Sequence, residues 1–443
     1  MKSIRSASSE HSPSIHRLAF RLCCCALLFL LCACGGDDND ATTLWPSPNL
    51  SDVSVYNPDS PYTEVLKPCA TATDGISLCS LETLPLIGQD TSTPAVANVM
   101  DRVLVSHSWM GRNFEEILKQ LPPDILSLFK GVTAIVIDSE IRPSFYSART
   151  AAIYLDPANL WLTNEEKATI SQSPDHRNDF GDELQFVILA RYVKDNSYAN
   201  IFYLLNGTET RQLNDILYPV ARQLYHELAH ANDFLPPVML PAIDPQTTPF
   251  AAVQALEAEQ IARHLVTTYP LASKLWRSLG QVLYLGVPAT KEQQDYTGDF
   301  VGLQFESDGA SDPYAYSTIH EDVAMLFEET MLKFHFGIDR DIAFSFVPAK
   351  VDPVCDDYLI QWGVRNRLGE VSVKSRAELV VRELLVDSDL DAFFDGIPLP
   401  TPMMTNLGWC SNLNLGAITP LAYEPARIIP PGQITLDKSL PGL

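Results

Sequence analysis

Between Leu224 and Phe234 the chain reads LYHELAHANDF, with His226 and His230 four residues apart and Glu227 directly after the first. On a helix, residues i and i+4 lie on one face a turn apart, so both imidazoles can offer a ring nitrogen to one metal ion. A carboxylate next to the first ligand reaches the place of a metal-bound water and can take that water's proton. The chemistry this spacing serves is hydrolysis by a zinc-activated water. With nine histidines in the chain, an H-E-x-x-H arrangement arises by chance in roughly one sequence of this composition in a hundred. The competing reading is two core or solvated histidines on an ordinary helix.

A catalytic zinc needs a third protein ligand. The continuation AHANDFLPP lacks the H-x-x-G-x-x-H extension of metzincins, so a glutamate further along is expected. Two stretches offer one: Glu257 and Glu259 in ALEAEQIARH, and Glu321 in DPYAYSTIHEDVAMLFEE, where His320 is a further candidate. Thr318-x-x-Glu321 also reads as a capping box, in which Glu321 would bond the amide at the start of its own helix. Tyr314 and Tyr316 read equally as packed loop aromatics.

This second stretch resembles the catalytic domain of anthrax lethal factor and related bacterial zinc-binding metallopeptidase lipoproteins. Tyr314 stands seven residues before Glu321, and Glu321-Asp322-Val323-Ala324-Met325-Leu326-Phe327 is similar to that family's acidic, aromatic helix in its Glu, Ala and Phe. HELAHAND, through Asp233, is similar to the other half of the family's site. The resemblance covers the two motif segments and the strands before them, and leaves both ends uncovered. It implies a gluzincin-type zinc endopeptidase with zinc on His226, His230 and Glu321. Glu227 would be the general base and Tyr314 the phenol facing the oxyanion. Asp233 would bond a ligand histidine from behind or simply end the helix. Met325 departs from the pattern: it stands where the family often has a second acid one turn after the ligand, so support of the metal ligands is expected to differ.

These residues need elements to hold them. Val220, Leu224, Leu228 and Ala231 form an apolar row that would anchor a helix over 215–234, with Pro219 acceptable only near its first turn. Further helices are expected over 113–130, 250–284 and 318–336. VTAIVID (132–138) and TAAIYLDP (150–157) read as strands, while FVILARY (186–192) reads as helix or strand. Substrate would lie extended along a strand edge, most plausibly TAAIYLDP. Strands followed by helices indicate an α+β fold. The final stretch offers one helix, Ser375 to Phe394, and then a proline-rich end, PPGQITLDKSLPGL, expected to lie extended on the surface.

The N-terminus reads as a targeting segment. Lys2, Arg5, Arg17 and Arg21 make it basic, and LCCCALLFLLCA (22–33) is too short for a bilayer-spanning helix, which takes about 20 residues. Leu31-Cys32-Ala33-Cys34 resembles a bacterial lipobox, which implies acylation of Cys34 as the new first residue; a plain secretory signal is the competing reading. Gly35 rather than aspartate after Cys34 implies the outer membrane.

The expected organisation is a lipoprotein signal peptide over 1–33 and a tether with irregular lead-in over 34–94. A zincin-like metallopeptidase domain follows over 95–345, with a small N-terminal strand region and the HExxH helix, and then a helical C-terminal extension with extended tail over 346–443. Beyond the signal, Cys69, Cys79, Cys355 and Cys410 form an even set suited to an oxidising compartment, and proximity favours Cys69 with Cys79 and Cys355 with Cys410.

A chain of 443 residues, 46% of them hydrophobic, can bury a substantial core. Its 55 acidic and 31 basic residues give a net charge of −24, which disfavours nucleic acid as a partner. Without residues 1–33, which hold four bases and one acid, the balance is 27 against 54, or −27. The reading is a lipid-anchored zinc peptidase acting on a peptide or protein substrate. The alternative is a surface lipoprotein that keeps the metallopeptidase fold but serves as a binding or assembly module; intact Glu227 argues against it.

Overall fold

A computed structural model describes residues 49–72, 77–200, 203, 205 and 207–415. The fold mixes helices with two five-stranded sheets. In the first, β1 (Ser54–Val55), β2 (Val103–Val105), β3 (Ala134–Ile137), β4 (Phe145–Ser147) and β5 (Ala152–Leu155) lie in the order β1-β2-β3-β5-β4. The three central strands β2, β3 and β5 run parallel, and the edge strands β1 and β4 are antiparallel to their neighbours. Every residue of β2, β3 and β5 is buried. That is why these segments read as continuous rather than alternating apolar runs: they are covered on both faces.

This order corrects the expected substrate edge. TAAIYLDP forms β5, which pairs with β3 on one side and β4 on the other, so the edge on this side is β4. The chain turns back between β4 and β5 through residues 148–151, with Ala151 at positive φ, and so places the later strand inside the earlier one.

The second sheet holds β6 (Phe186–Lys194), β7 (Ser197–Tyr198), β8 (Asp339–Phe346), β9 (Ile360–Arg365) and β10 (Thr401–Pro402), antiparallel throughout in the order β10-β9-β8-β6-β7. FVILARY is therefore strand, consistent with its β-branched and aromatic content. The stretch after residue 346, expected to be helical, also supplies β9 and β10 to this sheet.

Among the described residues seven helices have eight residues or more: α1 (Ser108–Leu118), α2 (Leu213–Phe234), α3 (Ile261–Thr268), α4 (Lys274–Leu285), α5 (Gly298–Glu306), α6 (Ile319–Phe336) and α7 (Val371–Leu384). Three expected helices are shorter or broken. The one over 113–130 stops at Leu118 before Pro122-Pro123, where ring and missing amide end the ladder. The one over 250–284 is split by extended backbone at Gln260 and by non-helical backbone at Tyr269, the residue before Pro270. The one over 375–394 becomes α7 and a short helix, Asp391–Gly396. Conversely, α2 begins at Leu213, so Pro219 falls in its second turn rather than its first and withholds one amide from the ladder.

α2 and α6 pack along each other at the centre of the main core, which includes Leu224, Leu228, Phe327 and Met331. Disulfides join Cys69 to Cys79 and Cys355 to Cys410, the pairings proximity favoured. The first ties the lead-in, which packs through Val53 and Leu66, beside the first sheet. The expected signal segment, Cys34 and the PPGQITLDKSLPGL end lie outside the described residues. No helix among the described residues is long and apolar enough to cross a membrane.

Candidate metal centre

His226 and His230 project from the middle of α2, both buried, because the apolar row on the same helix fixes it against the core. Glu321 comes from the first turn of α6. Thr318 caps that helix, its Oγ1 accepting from Glu321 N–H at 3.1 Å, but the Glu321 carboxylate is not turned back onto the cap. Instead its Oε2 lies 3.0 Å from His226 Nε2 and 3.3 Å from His230 Nε2. Only half of the capping box is formed, and the carboxylate is left for the histidines. One ligand atom from each of the three residues lies within 4.8 Å of the others.

The donor types are ones that could hold a divalent cation such as zinc. Two imidazole nitrogens and a carboxylate oxygen are an ordinary catalytic set, and ligand bonds of about 2.0–2.2 Å in a tetrahedron separate ligand atoms by roughly 3.3–3.6 Å. The two distances from Glu321 Oε2 to the imidazole nitrogens, 3.0 and 3.3 Å, lie at or slightly inside that range. Glu227, almost fully buried next to the cluster, leaves Oε2 without a hydrogen-bond partner. A buried orphan carboxylate oxygen is costly unless something polar is meant to sit against it.

Burial opposes charge on His226, yet hydrogen bonds donated by its two ring nitrogens to the carboxylates of Glu321 and Glu328 push its pKa up to about 10. Burial raises Glu227 to about 8, with the Glu321 and Glu328 charges adding to it against His226. Burial would raise Glu321 too, but His230 and His226 hold it far below the ordinary carboxylate range. A site of this kind gives up a proton when it takes a cation.

Tyr314 lies beside Glu321. It belongs to a one-turn 3-10 helix, Pro313–Tyr316, and its hydroxyl donates to Glu321 Oε1 at 3.0 Å. Burial and the Glu321 charge raise its pKa well above the usual phenol value, while Arg177 opposes them. Arg177, buried and held by Asp175 at 3.0 and 3.2 Å, was not singled out from the sequence.

The other candidates lie elsewhere. Glu257 and Glu259 are exposed on a short 3-10 turn, Glu257 pairing with Arg263 at 2.5 Å, and neither belongs to the His-His-Glu cluster. His320 turns to Asp233, Nδ1 to Oδ2 at 2.6 Å, and stacks on Phe234 with ring centroids 4.1 Å apart. Asp233 therefore does not back a ligand histidine. Its Oδ1 accepts from Ala262 N–H at 2.8 Å, so it ties the end of α2 to the starts of α3 and α6.

A buried carboxylate that the sequence does not single out stands behind His226. Glu328, fully buried, places Oε2 3.0 Å from His226 Nδ1, and its other oxygen takes the Tyr192 hydroxyl and faces Arg222 at 3.9 Å. The signal was available: seven residues is two helical turns, so Glu321 and Glu328 share a face. Met325, one turn after Glu321, packs instead into an apolar cluster with Trp276 and Ile342. Removing a carboxylate from behind a ligand histidine weakens metal binding about 10- to 100-fold. Glu328→Ala should show that loss in a competitive zinc titration.

No protein-family model matches the sequence, and no curated protein or solved structure matches it either.

Proposed function

We propose that this protein is a zinc-dependent peptidase of the gluzincin type, with a zincin-like catalytic fold, cutting a peptide or protein substrate. The observation that carries the reading is Glu227: a buried carboxylate with a free oxygen beside a His-His-Glu set. A module that only binds has no use for such a base.

His226, His230 and Glu321 would hold the ion, which when bound supplies a Lewis acid and lowers the pKa of a water to roughly 7. Glu227 takes a proton at its orphan Oε2 and passes it to the leaving amine. The Tyr314 phenol, on the Glu321 side, offers its O–H to the oxygen of the scissile carbonyl as negative charge develops there. Tyr314→Phe should keep zinc and slow hydrolysis by a factor on the order of 10² to 10³. An extended substrate is best accommodated along β4, the sheet edge that runs beside α2: Tyr146 of β4 stacks on Phe234 with centroids 5.7 Å apart.

Mass spectrometry of an unfolded protein incubated with the enzyme tests this reading. Fragments that appear only with zinc present are expected. Zinc uptake without cleavage would favour the binding-module alternative.

The lipobox-like Leu31-Cys32-Ala33-Cys34 supports anchoring by an acyl chain on Cys34, in the outer membrane of a bacterial envelope. Native protein should partition into detergent, and Cys34→Ser should stay aqueous or keep its precursor mass. Aqueous native protein without lipid by mass spectrometry would refute the anchor.

A further inference from the structure

Tyr314 lies on a single 3-10 turn, which has too few internal bonds to fix a side chain alone. Asp312, just before the turn, supplies the constraint. Its Oδ1 accepts from Tyr314 N–H at 2.7 Å, and its main-chain carbonyl takes Ala315 N–H at 3.1 Å. Its Oδ2 is held by Arg340 Nη2, from β8, at 2.5 Å. Asp312 and Arg340 are 0% and 4% exposed. A buried ion pair is an expensive way to cap one turn, since a neutral serine or threonine cap suffices for that purpose. The pair therefore has a use beyond forming the turn.

What surrounds it indicates the use. The Tyr314 ring is flanked edge-on by Tyr284 of α4 at 4.8 Å, and Ser317 Oγ donates to the Tyr314 carbonyl at 2.7 Å. Gly280 of α4 lets the turn approach closely, because a Cβ there would stand 2.5 Å from the Tyr316 carbonyl oxygen. Arg340 also reaches the ligand side of the centre. Its guanidinium sits 4.9 Å over the Tyr192 ring, and the Tyr192 hydroxyl bonds Glu328, the carboxylate behind His226.

We propose that Asp312, locked by Arg340, is a positioning residue that aims the Tyr314 phenol, and that Arg340 references phenol and His226 to one strand. The inference rests on the peptidase reading, because a reacting carbonyl is what gives the phenol's position a consequence. A tilt of about 10° at Cα moves a phenol oxygen roughly 6.5 Å away by about 1 Å, and a misplacement of that size costs about 10²-fold in rate.

The test places Asp312→Ala and Asp312→Asn in the native chain and in Tyr314→Phe. Asparagine keeps an acceptor for Tyr314 N–H and alanine does not. Asp312→Ala should lower kcat about 10- to 100-fold with KM and zinc content nearly unchanged, Asp312→Asn should restore most of it, and neither should matter once the phenol is gone. A second readout needs neither zinc nor hydrolysis: the ring 13C resonance of Tyr314, identified by its loss in Tyr314→Phe, should move in Asp312→Ala and hold in Asp312→Asn. Equal rate losses with and without the phenol, or an unmoved resonance in folded Asp312→Ala, overturns the proposal. If Asp312→Ala does not fold, Arg340→Lys serves, with the same resonance shift expected and an unmoved resonance counting against it. If the native protein hydrolyses nothing, the peptidase reading fails while the resonance still decides whether Asp312 positions the phenol.

Discussion

Glu227→Gln should keep one zinc per chain and lower kcat/KM by about 10²- to 10⁴-fold, the contribution of a positioned general base. Glutamine is nearly isosteric, so the helix and the two imidazoles keep their places, but its amide cannot accept the proton that Oε2 is left free to take. The same substitution has a stability signature. Burial lifts Glu227 to about 8 from an ordinary 4.5. A group whose folded value is raised stabilises fully below its unfolded value, and that contribution is lost as pH rises through the folded value. In metal-free protein the unfolding free energy of Glu227→Gln should therefore gain on the native protein between about pH 4.5 and pH 8 and gain no more above it, with a plateau on the order of a few kcal/mol. A flat difference across that range would mean that Glu227 is not held in a charge-averse site.

The second large effect is on the metal. His226→Ala, His230→Ala and Glu321→Ala should each lower zinc affinity by a factor on the order of 10³ or more, since each ligand carries about 3–4 kcal/mol of a typical structural-zinc binding energy. Glu257→Ala and Glu259→Ala should change nothing. Because His226 in the metal-free site is pushed up to about 10 by two carboxylates, zinc must displace its proton, and affinity should climb about tenfold per pH unit between pH 6 and 8. Titration calorimetry in buffers of different ionisation heat measures the released proton directly. Zinc retained at native affinity in Glu321→Ala would refute the third ligand.

Much of the centre was legible because its information is local. Two histidines and a glutamate within five residues need only a helix, and an apolar row on the same residues specifies that helix. That Glu321 and Tyr314 lie beside the histidines was expected only by resemblance, since nothing in their own spacing separates a place at the cluster from a cap. What escaped depends on contacts between distant segments. Asp233 and His320 pair across 87 residues, and Glu328 meets His226 across 102. β5 lies inside the sheet because the hairpin through Ala151 reverses the order of strands, which neither strand's composition encodes, although the run of buried residues in AIYL was a sign of two covered faces. The helix over 250–284 was overextended because apolar spacing continued across Gln260 and Tyr269-Pro270, where the backbone does not.

Hydrolysis of an unfolded protein by chelator-stripped protein, as zinc is returned stepwise, tests the proposed chemistry most directly. Expected are no cleavage in the stripped protein, a rate that rises in proportion to bound zinc and saturates at one ion per chain, and no rise in Glu227→Gln at the same zinc content. Cleavage that persists after the metal is removed, or one bound zinc per chain with no cleavage, would contradict it.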